Sequence, residues 1–140
     1  MDQKTQGRMT RTEARRWLVL LGLGFLTSGF LFAINGNDAP IGALTNYPNP
    51  FNSRIEETFI SYRLPQDLPV RIRIYDLFGF LVREFNLSPG DMGARLGENK
   101  VRWDGTDESG QKVAKGGYVC QVTVEGDQPA RAVRKIGVVH

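Results

Sequence analysis

Histidine and cysteine, the residue types on which most metal clusters and nucleophilic triads depend, are almost absent from this sequence. Histidine occurs once, as the terminal His140, and cysteine occurs once, as Cys120. A single histidine and a single cysteine form neither a Cys/His metal cluster nor a catalytic triad, and a lone cysteine excludes an intramolecular disulfide. Cys120 lies on the apolar side of an alternating segment, so we interpret it as a small buried residue and His140 as a solvated chain end. We therefore predict that the protein is not an enzyme and binds no cofactor, metal or small-molecule substrate.

Two groups of polar residues remain as candidate sites. Asp104, Asp107 and Glu108 have the composition of a calcium loop, but their spacing departs from the D-x-[DN]-x-[DN]-G pattern, so the sequence favours a turn. The second group is a candidate partner-docking face made of Arg71, Arg73 and Tyr75. These three residues alternate with apolar ones, which predicts an ordinary exposed strand face, with docking of an acidic partner as the alternative.

Residues 17–37 contain no charged side chain and divide the sequence into two parts. At 1.5 Å per residue, this run would form a helix about 30 Å long, which is the thickness of the hydrocarbon core of a bilayer. We predict a basic tail over residues 1–16, a transmembrane helix over 17–37, a linker over 38–46 and a folded domain over 47–140. The alternative is a cleaved signal peptide, but no pair of small residues offers a good cleavage site after the apolar run.

The charge distribution predicts the orientation of this span. Residues 1–16 contain five basic and two acidic side chains, whereas residues 38–140 contain thirteen of each. Basic residues flanking a span remain in the cytoplasm. We therefore predict a single-pass protein of the bacterial inner (cytoplasmic) membrane, with its N-terminus in the cytoplasm and its domain in the periplasm. A neutral domain lacks the basic stripe of a nucleic-acid-binding protein, so nucleic acid is excluded as a partner.

Small residues are spaced four apart within the predicted span. Gly24 and Ser28 form one such pair, and Gly29 and Ala33 form another. This spacing lets two membrane helices approach closely, so the four residues are a candidate helix-packing face. A helix that faces only lipid is the alternative.

The sequence from Tyr47 onward predicts an all-β domain. Residues 59–64, 70–75 and 118–124 alternate between apolar and polar types, and segments rich in Gly, Pro, Asn and Asp separate them. About seven strands in this length predict a seven-stranded immunoglobulin-like antiparallel β-sandwich. The predicted core residues are Ile60, Tyr62, Ile72, Ile74, Trp103, Tyr118 and Cys120.

Three motifs carry a family resemblance. They are Asn-Tyr-Pro-Asn-Pro-Phe-Asn at 46–52, Ile-Tyr-Asp-x-x-Gly at 74–79 and Trp-Asp-Gly-Thr-Asp-x-x-Gly at 103–110. Together they resemble the small immunoglobulin-like domain of flagellar hook-capping proteins and the C-terminal sorting domain of proteins exported by the type IX secretion system. The resemblance covers nearly all of residues 46–140 and implies a sandwich without a catalytic site. It also implies that Trp103 fills the core, that the turn glycines adopt positive φ, and that Asp104 and Asp107 cap backbone N–H groups.

Two functions are compatible with these features. The first is a non-catalytic accessory subunit that packs on the periplasmic face of a larger integral membrane protein complex, whether respiratory, photosynthetic, secretory or motility-related. The second is a free-standing cell-envelope module or type IX sorting-type domain that recognises surface or cell-wall components. A glycan-binding module needs a row of exposed aromatic residues, and Trp103 and Tyr62 are predicted to face inward. We therefore favour the accessory subunit, with a membrane complex and the lipid bilayer as its partners.

Overall fold

The computed structural model describes residues 41–140, and these residues form eight strands and no helix. The strands are β1 Thr45–Tyr47, β2 Phe51–Asn52, β3 Thr58–Leu64, β4 Val70–Asp76, β5 Leu81–Leu87, β6 Gly97–Trp103, β7 Gly116–Val124 and β8 Ala130–Val139. They form a three-stranded sheet in the order β1-β3-β6 and a five-stranded sheet in the order β2-β8-β7-β4-β5. The two sheets pack face to face as a β-sandwich, which is the all-β fold that the sequence predicts.

The core consists of the alternating apolar residues of both sheets. In β4, Val70, Ile72 and Ile74 are buried, while the intervening residues face outward. Because side chains in a strand alternate between its two faces, this pattern covers one face of each sheet. All seven residues that the sequence assigns to the core are at most 7% exposed.

The Asn-Tyr-Pro-Asn-Pro-Phe-Asn segment passes from one sheet to the other, and its asparagines hold the crossing. Asn46 Nδ2 donates to Thr58 Oγ1 (3.2 Å) in the three-stranded sheet, and Asn49 Nδ2 donates to Asn46 Oδ1 (3.1 Å). Asn49 also reaches β8 of the five-stranded sheet, where its Nδ2 donates to the Lys135 carbonyl (2.9 Å) and its Oδ1 accepts from Gly137 N–H (2.8 Å). One side chain therefore joins the two sheets.

The predicted strand count and pairing need correction. Residues 41–140 form eight strands rather than about seven, and two of the eight, β1 and β2, are short strands of the crossing segment. The sandwich is also not wholly antiparallel, since β2 pairs with β8 in parallel. Two paired residues are too few to produce a recognisable alternation in the sequence.

The fold also includes part of the predicted linker. Ile41 is buried in the core, and the Gly42 N–H donates to the Arg63 carbonyl (2.8 Å). β1 then begins at Thr45, before the predicted boundary at Tyr47.

The predicted tail, span and helix-packing face, with Gly24, Ser28, Gly29 and Ala33, lie outside the described residues. From residue 41 to residue 140, no helix is long and apolar enough to cross a membrane.

Candidate docking surface at the Trp103 end

The strand register defines two ends of the sandwich. Thr58 pairs with Trp103 in one sheet, and Asp76 pairs with Tyr118 in the other. The Trp103 and Tyr118 rings touch, with 5.6 Å between their centroids, so these strand termini lie at the same end. We call this the Trp103 end. The opposite end carries the connections 65–69, 88–96 and 125–129.

An interlocked aromatic cluster, the interior cluster, fills the core at the Trp103 end. It consists of Phe51, Trp103 and Tyr118, and Trp103 packs edge-on against both other rings at 5.6 Å. The polar atoms of the cluster are satisfied, because Trp103 Nε1 donates to the Thr106 carbonyl (2.9 Å) and Tyr118 OH donates to the Ala114 carbonyl (2.7 Å). Edge-to-face packing adds to the stabilisation from burial alone.

A second apolar cluster at the same end is exposed. It lies at the tip of the β4–β5 hairpin and consists of Leu77, Phe78, Phe80 and Leu81, which we call the hairpin patch. Their exposures are 70%, 88%, 69% and 47%. Single exposed apolar residues are common, but four bulky ones within five consecutive residues make the hairpin tip a candidate docking surface.

The hairpin patch is held in a defined conformation by Asp76. Its Oδ1 accepts from the N–H groups of Phe78 and Phe80, both at 2.9 Å. The backbone of Asp76 is bonded as well, since its carbonyl accepts from Gly79 N–H (3.1 Å) and its N–H donates to the Phe80 carbonyl (3.0 Å). Gly79 adopts φ 90°, a left-handed conformation that a side chain would disfavour. The turn thus presents its apolar side chains on a preorganised backbone.

A third apolar group lies on the outer face of the three-stranded sheet. Tyr47 is 81% exposed and pairs in register with Phe59, which is 42% exposed, and Ile55 nearby is 82% exposed. We call these three residues the Tyr47 patch. An open groove of ≈ 580 Å³ runs beside them, with Asp104 and Lys112 among its polar lining residues. This arrangement provides exposed rings next to charged groups.

The aspartates of the 104–110 segment are capping residues, as the family resemblance implies. Asp104 Oδ1 accepts from the N–H (3.1 Å) and hydroxyl (2.6 Å) of Thr106. Asp107 Oδ1 accepts from Ser109 N–H (2.9 Å), Ser109 Oγ (2.6 Å) and Gln111 N–H (2.9 Å). The prediction of a turn is therefore confirmed. Within residues 41–140, no group of three His, Cys, Asp or Glu residues could hold a metal ion.

These contacts set the pKa values of the two carboxyl groups. Partial burial tends to raise the pKa of Asp104, but the Thr106 hydrogen bonds and the Lys112 ammonium outweigh it, so the pKa lies below its ordinary value. The pKa of Asp107 is lowered chiefly by the Ser109 hydroxyl and then by the Gln111 N–H. Both groups are therefore ionised acceptors near neutral pH.

Cys120 lies in the middle of β7 and is fully buried. Burial raises the pKa of its thiol to about 12. Because the thiolate is the reactive form of cysteine, the side chain is chemically inert at neutral pH and acts as core packing.

Arg71, Arg73 and Tyr75 lie together on the outer face of the five-stranded sheet, but neighbouring glutamates bind both arginines. Arg71 Nη2 lies 2.9 Å from Glu125 Oε1, and Glu84 Oε1 lies 3.5 Å from Arg71 Nε and 3.3 Å from Arg73 Nε. Two arginines thus face two carboxylates. This local neutralisation weakens the attraction of the face for an acidic partner.

The hairpin patch was not predicted from the sequence. Residues 76–79 entered the prediction only as the end of the Ile-Tyr-Asp-x-x-Gly motif of the family resemblance, and no contact surface was predicted there. Turn tips lie on the surface, so bulky apolar residues on both sides of Gly79 were the available signal. Phe78 and Phe80 are therefore candidate docking residues in addition to Arg71 and Arg73.

Comparison with solved structures places this fold among known domains. FlgD from P. aeruginosa is similar at 22% identity and TM-score 0.52, over 69% of this chain and 69% of that chain. PorU from Porphyromonas gingivalis, in a dimeric latent form, is similar at 24% identity and TM-score 0.58, over 74% of this chain. PorZ, a surface component of the type IX secretion system of the same organism, is similar at 19% identity and TM-score 0.50, over 70% of this chain. This chain covers 10% of PorU and 12% of PorZ, and at these identities the likeness is one of fold.

Sequence comparison identifies the family of the domain. Individual curated proteins give no match to the chain, but one family does. The FlgD Ig-like domain matches residues 55–128, which is more than half of the chain and extends from the end of the crossing segment to the β7–β8 connection. This chain therefore belongs to the FlgD Ig-like domain family.

Proposed function

We propose that this protein is a non-catalytic accessory subunit, anchored by a single span in the bacterial inner membrane, whose sandwich docks on the periplasmic face of a larger membrane protein complex. The observation that carries this proposal is the hairpin patch. Four bulky apolar side chains are exposed on a turn whose backbone is held by hydrogen bonds to Asp76.

The size of the patch suits a tethered contact. Fully burying a Phe or Leu side chain is worth about 1.5–3 kcal/mol, but association costs several kcal/mol in lost translational and rotational freedom. The Asp76 hydrogen bonds already order the turn, so little further entropy is lost on docking. A membrane tether supplies an effective concentration of about millimolar, which makes a modest contact sufficient.

The patch lies at the end of the sandwich opposite to the first described residues. The chain enters the sandwich at Ile41 and Gly42, beside Arg63, at the end opposite to the patch. The seven residues of β3 span about 23 Å between the two ends at 3.3 Å per residue. The patch and the first described residues are therefore separated by about the length of β3.

The central experiment compares matched variants of the full chain in a mild detergent. Phe78→Ser combined with Phe80→Ser removes the aromatic part of the patch, and Met92→Ser combined with Leu96→Ser serves as control. Met92 and Leu96 are 77% and 67% exposed and lie at the opposite end. We expect the wild type and the control to co-purify stoichiometrically with the same membrane proteins, whereas the patch variant retains less than about a tenth of them.

Two outcomes would contradict the proposal. Equal retention by the patch variant would exclude the hairpin as the docking element. Loss of retention by the control variant alone would move the contact to the opposite end. Replacing residues 17–34 with an unrelated membrane span tests the helix separately, because retention falls only if Gly24, Ser28, Gly29 and Ala33 form a packing face.

The Tyr47 patch supports a second candidate function, that of a cell-envelope module that binds glycan. Tyr47 and Phe59 provide the exposed aromatic pair that such a module requires, and Asp104 and Lys112 line the adjacent groove. We expect Tyr47→Ala to leave co-purification with the complex unchanged. Binding of the wild type to insoluble cell-wall glycan that is lost in Tyr47→Ala would instead favour the second candidate.

A further inference from the structure

Most of β8 forms an open edge of the five-stranded sheet. β2 is the neighbour of β8 on its outer side, and it pairs only with Val138 and Val139. On its other side, β8 pairs with β7 along almost its whole length. The first half of β8, from Ala130 to Lys135, therefore has no neighbouring strand on its outer side within residues 41–140.

The contacts of Asn49 identify which backbone groups point outward from this edge. Asn49 lies on the outer side of β8, where it bonds the Lys135 carbonyl and the Gly137 N–H. Along an antiparallel strand, successive residues direct their N–H and C=O groups to opposite sides. Arg131 and Val133 therefore also point their backbone groups outward. No hydrogen bond among the described residues uses the N–H or C=O of Arg131 or Val133, or the N–H of Lys135.

The other long edge of the same sheet is covered. On the outer side of β5, Glu84 N–H donates to a Glu108 carboxylate oxygen, and Glu108 N–H donates to the Val82 carbonyl (3.1 Å). Ser88 N–H, just beyond the strand, donates to Asp91 Oδ2 (2.7 Å). Edge strands are commonly protected in this way, and β8 lacks an equivalent cover within residues 41–140.

The side chains along the open edge define the chemistry of a suitable partner. Arg131, Arg134 and Lys135 are exposed, and none of them forms an ion pair with another described residue. Val133 between them is 54% exposed. Two copies of this edge would bring like charges together, which disfavours pairing of the chain with itself. An extended segment with acidic side chains would satisfy both the backbone groups and the charges.

We propose that the β8 edge binds an extended acidic segment of another protein as an added strand, next to the short strand β2. Strand addition is an established mode of peptide recognition, in which backbone hydrogen bonds provide affinity and side chains provide selectivity. The contact uses a different surface from the hairpin patch and does not depend on the proposed docking function.

The test uses a capped seven-residue peptide in which glutamate alternates with valine, titrated into the full chain in detergent. Val133→Pro removes one outward N–H, and Val133→Ala is the matched control that keeps it. Proline is tolerated on an edge strand where its N–H would face solvent, so the fold is expected to persist. We expect binding of the peptide to the wild type, about tenfold weaker binding to Val133→Pro and at most about threefold weaker binding to Val133→Ala.

Two further measurements keep the proposal falsifiable if Val133→Pro unfolds. The Val133 amide should become protected from hydrogen exchange when the peptide is added to the wild type. A peptide with lysine in place of glutamate should bind at least about tenfold more weakly, and 0.5 M salt should reduce this difference. Absence of binding at millimolar peptide, unchanged exchange at Val133, equal binding of both peptides, or self-association of the chain through this edge would each overturn the proposal.

Discussion

Two apolar clusters at the Trp103 end of the sandwich consist of similar residues but differ in what covers them. Phe51, Trp103 and Tyr118 of the interior cluster are at most 7% exposed. Phe78, in the hairpin patch, is 88% exposed. Apolar area that leaves water on folding stabilises the fold, whereas area that stays in water can contribute only when a partner covers it. The interior cluster therefore stabilises the fold, whereas the hairpin patch contributes little to the stability of the isolated domain and is the candidate docking surface.

The comparison also shows that order and burial are separate properties. The interior cluster is ordered by packing, with ring centroids 5.6 Å apart. The hairpin patch is ordered by hydrogen bonds from one carboxylate to Phe78 N–H and Phe80 N–H. A surface that is apolar and already ordered loses little conformational entropy on binding, which is the physical advantage of preorganisation.

Truncation of Trp103 should destabilise the domain far more than truncation of an exposed aromatic residue of the hairpin patch. Trp103→Ala removes both ring contacts and the Thr106 hydrogen bond, and we expect it to lower the free energy of unfolding by about 3–5 kcal/mol. Phe78→Ala should change it by less than about 0.5 kcal/mol, as exposed substitutions do. Denaturant unfolding of the full chain, followed by far-ultraviolet circular dichroism, measures both values.

The control for this prediction is Trp103→Phe, which keeps an aromatic ring in the core and loses the Nε1 donor. The free energy of unfolding of Trp103→Phe should lie between that of the wild type and that of Trp103→Ala. Similar losses in Trp103→Ala and Phe78→Ala would mean that the hairpin contributes to the core, and the distinction between the two clusters would fail.

The central strands could be predicted from the sequence because their alternation is long enough to be read. Ile72 and Cys120, on β4 and β7, face inward as a period of two requires. The capping role of Asp107 also follows the family resemblance. These features depend on residues close together in the sequence.

The rest could not be predicted because it depends on contacts between residues far apart. Asn49 forms hydrogen bonds with Lys135 and Gly137, which lie near the other end of the domain sequence. Nothing local in the sequence specifies these bonds. The pairing of β4 with β5 shifts in register after Ile74, so Leu81 pairs with Tyr75. Leu81 is therefore half exposed, although the local pattern favours burial. The candidate docking surface was missed for a different reason: the apolar residues that flank Gly79 were visible in the sequence, but apolar residue types alone do not distinguish core from contact surface.

Removal of the Asp76 carboxylate should lower the stability less than Trp103→Ala does, and it tests what orders the hairpin patch. Asp76→Ala leaves the N–H groups of Phe78 and Phe80 without their acceptor. We expect the free energy of unfolding to fall by only about 1 kcal/mol, because water can replace the carboxylate in part. Asp76→Asn retains an acceptor oxygen and should lose less. Amide hydrogen exchange at Phe78 and Phe80 should accelerate in Asp76→Ala. Unchanged exchange would mean that packing rather than the carboxylate orders the patch.

The pH dependence of Asp107 should give the smallest effect and concerns the turn beside both clusters. Its pKa is lowered in the folded state, chiefly by the Ser109 hydroxyl and then by the Gln111 N–H, so the folded chain binds its proton less readily than the unfolded chain. Its contribution to stability is therefore complete above the ordinary aspartate pKa and is lost as the pH falls through that value to the lower folded-state one. Asp107→Asn keeps an acceptor oxygen but does not titrate, so denaturant unfolding from about pH 6 to about pH 2 should show a shallower acid decline than in the wild type. Identical declines in the two chains would mean that the Ser109 and Gln111 contacts do not favour the ionised carboxylate.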